Sequence, residues 1–170
     1  MHLYLGFCAG LDRLATALCV LACLALTVSV LTIVVMRYGF GVGFIELQDF
    51  AAYTFAVLLI FSVPVCLRRG GHVRVEVLSE NLSPAYARIA DAVAVLLFLI
   101  PVFGLIIWAD WADLAYSWSI REASIETGGL PGLFVVKTAL PLGAAMMILQ
   151  GIAMVLEPRP DRSAEDEPTL

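Results

Sequence analysis

Charged residues are scarce in this sequence. Asp, Glu, Lys and Arg make up 15% of the 170 residues, whereas hydrophobic residues make up 61%, and the mean hydropathy is +0.94. Soluble globular domains are roughly 25% charged, and a soluble core cannot account for so much apolar sequence. The composition therefore indicates an integral membrane protein.

Histidine and cysteine are scarce as well, which argues against several classes of site. The two histidines, His2 and His72, lie outside the long apolar stretches, so no pair of transmembrane histidines is available to ligate a haem. The four cysteines form no CxxC pair, which argues against a zinc site or a disulfide framework. We therefore expect no metal site and no cofactor.

Long polar segments are also missing. The two longest segments between the apolar stretches, residues 68–91 and 110–137, are too short to form an independent domain. We therefore expect no catalytic residues, no substrate-binding residues and no enzyme activity. We also expect no nucleic-acid partner.

The sequence contains four long apolar stretches. The first, residues 14–36, has 23 residues without a charge. At about 1.5 Å per helical residue, it is long enough to cross a hydrocarbon core of roughly 30 Å. We predict one all-α membrane domain over residues 1–157 with four transmembrane helices, followed by a disordered cytoplasmic tail at 158–170. The predicted spans cover residues 14–36, 50–67, 92–109 and 133–156.

The basic residues indicate which way the chain crosses the membrane, because short cytoplasmic loops are enriched in Lys and Arg. If both termini are cytoplasmic, seven basic residues lie inside and three outside. The inside set is Arg13, Arg68, Arg69, Arg74, Arg88, Arg159 and Arg162, and the outside set is Arg37, Arg121 and Lys137. The sequence thus predicts an N-in, C-in topology, with Arg68, Arg74 and Arg88 as anchors.

Aromatic residues gather where the third predicted span reaches the outside. Trp108, Trp111 and Trp118 lie close to Asp110 in the sequence, and amphipathic aromatic rings settle at the level of the lipid headgroups. We interpret the three tryptophans as interfacial anchors at the start of an outer loop that covers residues 110–137.

Two polar residues of the fourth span are candidates for contacts. Lys137 lies about 6 Å of helix beyond Leu133, so its ammonium can either snorkel to the interface or pair with a carboxylate. The possible acceptors on the same side are Glu46, Asp49, Glu122 and Glu126. Gln150 is the best candidate for a buried hydrogen bond between helices.

No ionisable residue lies near the middle of any predicted span. Pathways for ions and polar solutes are usually marked by such residues, because they persist there despite an insertion cost of about 2.5 to 3.5 kcal/mol. This argues against a transport path inside the chain. A self-sufficient, small homo-oligomeric transporter or channel stays open as the alternative.

A charged segment, "LRRGGHVRVEVL" at residues 67–78, separates the second and third spans. Gly70 and Gly71 permit a tight reversal, and the alternating valines that follow are typical of a half-buried extended segment. Such a segment needs a surface on which to pack. Ser83 followed by Pro84 then predicts the start of the third helix.

Several of these stretches together resemble a known family. They are Arg37-Tyr38-Gly39-Phe40, Glu46-Leu47, the segment 67–78, "GGLP", and "VKTALPLGAAMMILQGIA". Up to about Glu157 the chain is similar to the small membrane subunit, Q-type or DctQ-like, of tripartite ATP-independent periplasmic (TRAP) transporters. The most specific part runs from Arg69 to Glu76, and the family frequently has aspartate where Glu76 stands.

The resemblance implies a division of labour among three proteins. A periplasmic solute-binding protein captures a carboxylate, and a large M-type membrane subunit carries it inward by secondary active symport with sodium. The small subunit braces the static part of the complex among the lipids of a bacterial or archaeal inner membrane. The segment from Lys137 to Gly151 resembles the branch that handles larger organic acids such as 2-oxo acids.

The resemblance also implies contacts with the large subunit on both sides of the membrane. The candidates are Arg69, His72 and Glu76 on the cytoplasmic side, Arg37, Glu46 and Lys137 on the periplasmic side, and Gln150 within the membrane.

Overall fold

The computed structural model describes residues 2–69 and 84–156, which are mostly helical. The elements are α1 (His2–Gly39), α2 (Ile45–Arg68), α3 (Pro84–Ala94), a π-helical turn (Val95–Leu99), α4 (Ile100–Ile120), α5 (Leu133–Lys137) and α6 (Ala139–Leu156). Helix α3, the π turn and α4 follow one another without a break. Helix α5 is separated from α6 by Thr138 alone.

Four helical stretches are long and apolar enough to cross a membrane. They are Leu3–Gly39, Ile45–Arg68, Ile89–Ile120 and Leu133–Leu156, which we call the first to fourth spanning helices. The predicted all-α architecture with four transmembrane helices is thus confirmed. The predicted tail at 158–170 lies outside the described residues.

The third spanning helix continues well beyond the predicted span. It runs through Asp110 to Ile120, so the prediction of an outer loop beginning at Asp110 is wrong. A carboxylate marks the edge of an apolar stretch but does not break a helix, and no Gly or Pro occurs between Gly104 and Gly128. The helix ends at Arg121, whose φ of 49° lies in the left-handed region typical of helix C-termini.

The π turn lies directly before Pro101. Proline has no N–H to donate to the carbonyl four residues earlier, and in a regular α-helix its ring would collide with that carbonyl. The wider π turn absorbs this misfit, so the chain continues into α4.

The predicted start of the third helix at Pro84 is confirmed.

The fourth spanning helix lies at the centre of the bundle. Helix α2 packs against both α1 and α6, and α4 packs against α6. The most apolar window of the fourth spanning helix is 50% buried, compared with 11% for the first and 6% for the third. The first and third spanning helices therefore leave most of their apolar surface to lipid or to another protein.

Small residues allow other helices to approach α6 closely. Gly143 lies against Ile60 of α2, and a Cβ at Gly151 would be 3.0 Å from Cδ1 of Leu99 in the π turn. Lipid tails are as apolar as the side chains, so helices in a membrane associate chiefly through close packing and hydrogen bonds. These two glycines therefore contribute to the contacts that hold the bundle together.

We expect Gly143→Ala to destabilise the bundle by about 1 to 3 kcal/mol, because the added Cβ would collide with Cγ2 of Ile60. Gly104→Ala is the matched control, since Gly104 is also helical but an added Cβ there meets nothing within 4 Å. Thermal unfolding of both variants in one detergent measures the difference. Equal unfolding temperatures would contradict the packing described for α6.

Candidate functional site

The charged side chains of the bundle lie at its two ends. The start of α1, the end of α2 and the end of α6 form one end, which we call the Arg68 end. The end of α1, the start of α2, the end of α4 and α5 form the opposite one, the Lys137 end. Because residues 14–36, 50–67, 92–109 and 138–156 contain no charged residue, the polar groups at these ends are the candidates for functional contacts.

Gln150 forms the centre of the Arg68 end. Its side chain is 1% exposed. Its Nε2 donates to the backbone oxygen of Cys8 at 3.0 Å, and its Oε1 accepts from Nη1 of Arg68 at 3.0 Å. One amide thus joins α1, α2 and α6, as predicted for a buried interhelical contact. Since the amide is used inside the chain, Gln150 is not available for a direct contact with a partner.

Two further hydrogen bonds join the helices at this end. The hydroxyl of Tyr4 donates to the backbone oxygen of Leu149 at 2.8 Å, and Nη2 of Arg69 donates to Oγ1 of Thr16 at 2.8 Å. Arg69 also follows the last residue of α2 and caps it. Arg68 is therefore bonded to α6, and Arg69 is bonded to α1. A basic residue that only fixes the orientation of the chain in the membrane would not need these bonds.

Lys137 forms the centre of the opposite end. Its Nζ lies 2.7 Å from Oε2 of Glu122 and 2.9 Å from Oδ2 of Asp113, and it donates to Oγ of Ser117 at 3.1 Å. The structure thus shows an ion pair rather than a snorkelling lysine. Glu122 was among the predicted acceptors, whereas Asp113 was missed because the third helix was expected to end before it.

The lysine also affects the ionisation of its partner. The Lys137 ammonium lowers the pKa of Glu122 below its ordinary value, and a hydrogen bond with Ser117 lowers it further. Glu122 is therefore charged at neutral pH, and the two carboxylates outweigh the single ammonium. The Lys137 cluster does not present a free positive charge to a partner.

The three predicted aromatic anchors lie on α4 but are used differently. Trp118 donates from Nε1 to Oγ1 of Thr138 at 3.0 Å, and its ring meets that of Phe134 edge-on with centroids 4.8 Å apart. Trp108 and Trp111 are 76% and 65% exposed. Trp118 thus fastens α4 to the fourth spanning helix, and Trp108 and Trp111 face outward from the bundle.

The segment 121–132 is held against α2. Oδ2 of Asp49 accepts from the backbone N–H of Leu130 at 2.9 Å, and the hydroxyl of Tyr53 donates to the Leu130 carbonyl at 3.1 Å. A Cβ at Gly129 would collide with the Asp49 carboxylate and with Ser124, so a glycine is needed there. This outer hairpin is therefore fixed on both sides, by α2 and by the ion pair of Lys137.

Arg37 and Glu46 remain exposed at the Lys137 end. Arg37 lies in the last turn of α1 and Glu46 in the first turn of α2, where the helix dipole favours a carboxylate. Arg37 lines a cavity of about 410 Å³ between the two helices, together with Ile33, Met36, Gly41, Val42, Gly43, Phe44, Leu47 and Gln48. Within residues 2–69 and 84–156, neither charge has an ion-pair partner.

Other predicted residues cannot be placed in these clusters. His72, Arg74 and Glu76 lie outside the described residues, as does the side chain of Arg88. Among the described part of the chain, no group of three or more His, Cys, Asp or Glu side chains is placed to hold a metal ion.

We expect Gln150→Leu to destabilise the protein by about 1 to 3 kcal/mol, because it leaves an arginine N–H of Arg68 without its acceptor at a buried position. Gln48→Leu is the control, since Gln48 is exposed and surface substitutions usually change stability by less than about 0.5 kcal/mol. Thermal unfolding in detergent checks this. A Gln150→Leu protein as stable as the control would show that the network does not hold the helices.

Comparison with known proteins agrees with this arrangement. The chain matches the family model described as tripartite ATP-independent periplasmic transporters, DctQ component, over residues 26–160. No individual curated protein matches the chain. The matched region includes the second, third and fourth spanning helices in full and the last 14 residues of the first. The chain therefore belongs to the DctQ family, the small membrane component of the tripartite ATP-independent periplasmic transporters.

Proposed function

We propose that this chain is the scaffold subunit of a secondary active transporter that imports an organic acid. In this proposal a periplasmic solute-binding protein delivers the acid to a large membrane subunit. The large subunit carries the acid inward together with sodium, which flows down its own gradient and drives the uptake. The small subunit braces the part of the large subunit that does not move. The family match supports the assignment to a tripartite transporter. The exposed surface of the first and third spanning helices supports the scaffold role.

The observation that carries the proposal is the exposure of the first and third spanning helices. Their most apolar windows are only 11% and 6% buried, so both present long unpartnered surfaces. In lipid, such surfaces allow close packing against the helices of another membrane protein. Along the four uncharged stretches there is also no Asp, Glu, Lys, Arg or His side chain to bind a carboxylate or a cation. The chain is therefore suited to support a transport path in another chain.

We place both termini in the cytoplasm of a bacterial or archaeal cell. The seven-to-three distribution of basic residues supports this orientation of the inner membrane protein. The Arg68 end then faces the cytoplasm, and the Lys137 end with its outer hairpin faces the periplasm. The solute-binding protein approaches from the side of the hairpin.

The hydrogen bonds inside the chain narrow the set of partner contacts. Gln150 and Lys137 are bonded within the bundle. We therefore assign the cytoplasmic contact with the large subunit to the charged segment that follows α2, with His72 and Glu76. On the periplasmic side we assign it to the exposed Arg37 and Glu46.

Transport assays in proteoliposomes test the proposal. The small chain is reconstituted alone, and in parallel with its large subunit and binding protein, and uptake of labelled 2-oxo acids and dicarboxylates is driven by a sodium gradient. We expect uptake with all three proteins and none with the small chain alone. Sodium-driven uptake by the small chain alone would contradict the scaffold role and favour the self-sufficient transporter or channel.

We expect Glu46→Gln to weaken co-purification with the large subunit several-fold, because the substitution removes an exposed charge from the proposed contact. Glu126→Gln is the matched control, since Glu126 is also an exposed glutamate at the Lys137 end but lies on the tip of the hairpin. Quantitative pull-down of the large subunit compares the two. Equal recovery with both variants would remove Glu46 from the interface.

A further inference from the structure

Two exposed arginines of the Arg68 end have no ion-pair partner among residues 2–69 and 84–156. Arg13 lies on α1 immediately before the uncharged stretch 14–36, and Arg69 lies immediately after the end of α2. Both positions mark the edge of an apolar stretch, which places them at the depth of the lipid headgroups.

A hydrogen bond brings these two arginines to the same strip of surface. Nη2 of Arg69 lies 2.8 Å from Oγ1 of Thr16. Thr16 lies three residues after Arg13 on α1, and residues with this spacing are neighbours, with Cβ atoms about 5–6 Å apart on one helix face. Both arginine side chains are exposed. Two guanidinium groups therefore face the solvent along the junction of α1 and α2.

Neither of these charges is neutralised within residues 2–69 and 84–156. The ion pairs found there join Lys137 to Asp113 and Glu122 at the opposite end. Asp12 lies four residues before Thr16 and so shares its helix face, but among residues 2–69 and 84–156 no ion pair joins its carboxylate to Arg13 or Arg69, and its Oδ1 is buried. Arg68 differs from both, because it is bonded to Gln150. Arg13 and Arg69 thus form a basic patch that has no ion-pair partner within the described residues, and the bond to Thr16 holds Arg69 in place.

We propose that Arg13 and Arg69 bind the phosphate group of a membrane phospholipid. Planar guanidinium groups bind phosphate oxygens through paired, charge-assisted hydrogen bonds. The exposed residues Leu14, Leu18 and Leu21 continue from this patch along α1, and they offer an apolar surface to the acyl chains. A phospholipid matches both features, whereas free phosphate matches the charges alone.

The inference rests on the membrane location and cytoplasmic orientation given under the proposed function, because anionic phospholipids are enriched on that side. It does not depend on uptake or on the large subunit. A carboxylate of the large subunit is the competing occupant, and the experiment separates it from lipid.

Native mass spectrometry of the full chain in neutral detergent measures the binding. Phosphatidylglycerol is the probe, diacylglycerol with the same acyl chains is the comparison without phosphate, and inorganic phosphate is the free-anion competitor. We expect retention of phosphatidylglycerol but not of diacylglycerol, with little displacement by an equal concentration of inorganic phosphate. Displacement by equimolar inorganic phosphate would show a site for free anions and overturn the proposal.

Variants identify the residues that hold the lipid. We expect Arg13→Gln with Arg69→Gln to lower retention of phosphatidylglycerol by about tenfold or more, since charge-assisted hydrogen bonds are lost. Thr16→Val keeps both charges but releases Arg69, so it should cause a smaller loss. Arg121→Gln is the control, because Arg121 is exposed at the opposite end. Equal retention by the double variant and the parent would overturn the proposal.

Co-purification with the large subunit completes the test. A double variant that keeps phosphatidylglycerol but loses the large subunit would assign the two arginines to the protein partner and overturn the lipid site. A failure of sodium-driven uptake by the complete transporter would count against the proposed function. It would leave the measured lipid retention unchanged.

Discussion

The structure depends on one constraint, which is that polar groups in hydrocarbon must be bonded within the protein. Four helices satisfy their own backbones, and their uncharged stretches keep ionisable groups out of the bilayer. The polar side chains that join helices therefore gather toward the two ends. There, Gln150 joins three helices and Lys137 fixes α4 and the outer hairpin. Between these ends, the small residues of α6 provide the close contacts.

In this arrangement the central fourth spanning helix is the most buried, and the first and third spanning helices are the least buried. The most apolar window of the fourth spanning helix is 50% buried, whereas those of the first and third are only 11% and 6% buried. A protein that enclosed its own transport path would need polar groups in its interior, but here the uncharged stretches of the described helices hold no Asp, Glu, Lys, Arg or His. The exposed helices and the basic patch of Arg13 and Arg69 instead lie on the outer surface of the bundle.

Much of this architecture was predictable from the sequence, because charge marks where a helix leaves the membrane and proline marks where the third helix begins. The buried role of Gln150 followed from its place in an apolar span, whereas for Lys137 the sequence left snorkelling open and offered Glu122 as one of four possible acceptors. The end of α4 could not be predicted from charge, because the helix ends where Arg121 adopts a left-handed backbone conformation. Nor could the bonds of Arg68 and Arg69, which join residues far apart in sequence on nearly uniformly apolar helices.

The central claim is that the described part of this chain encloses no aqueous path for a solute. Hydrogen–deuterium exchange of the chain alone in lipid nanodiscs tests it most directly. We expect slow exchange of the backbone amides of α6 between Ala139 and Gln150, and faster exchange in the hairpin at 121–132. Rapid exchange at the middle of α6 would show that water enters the bundle and that a path for solute exists there.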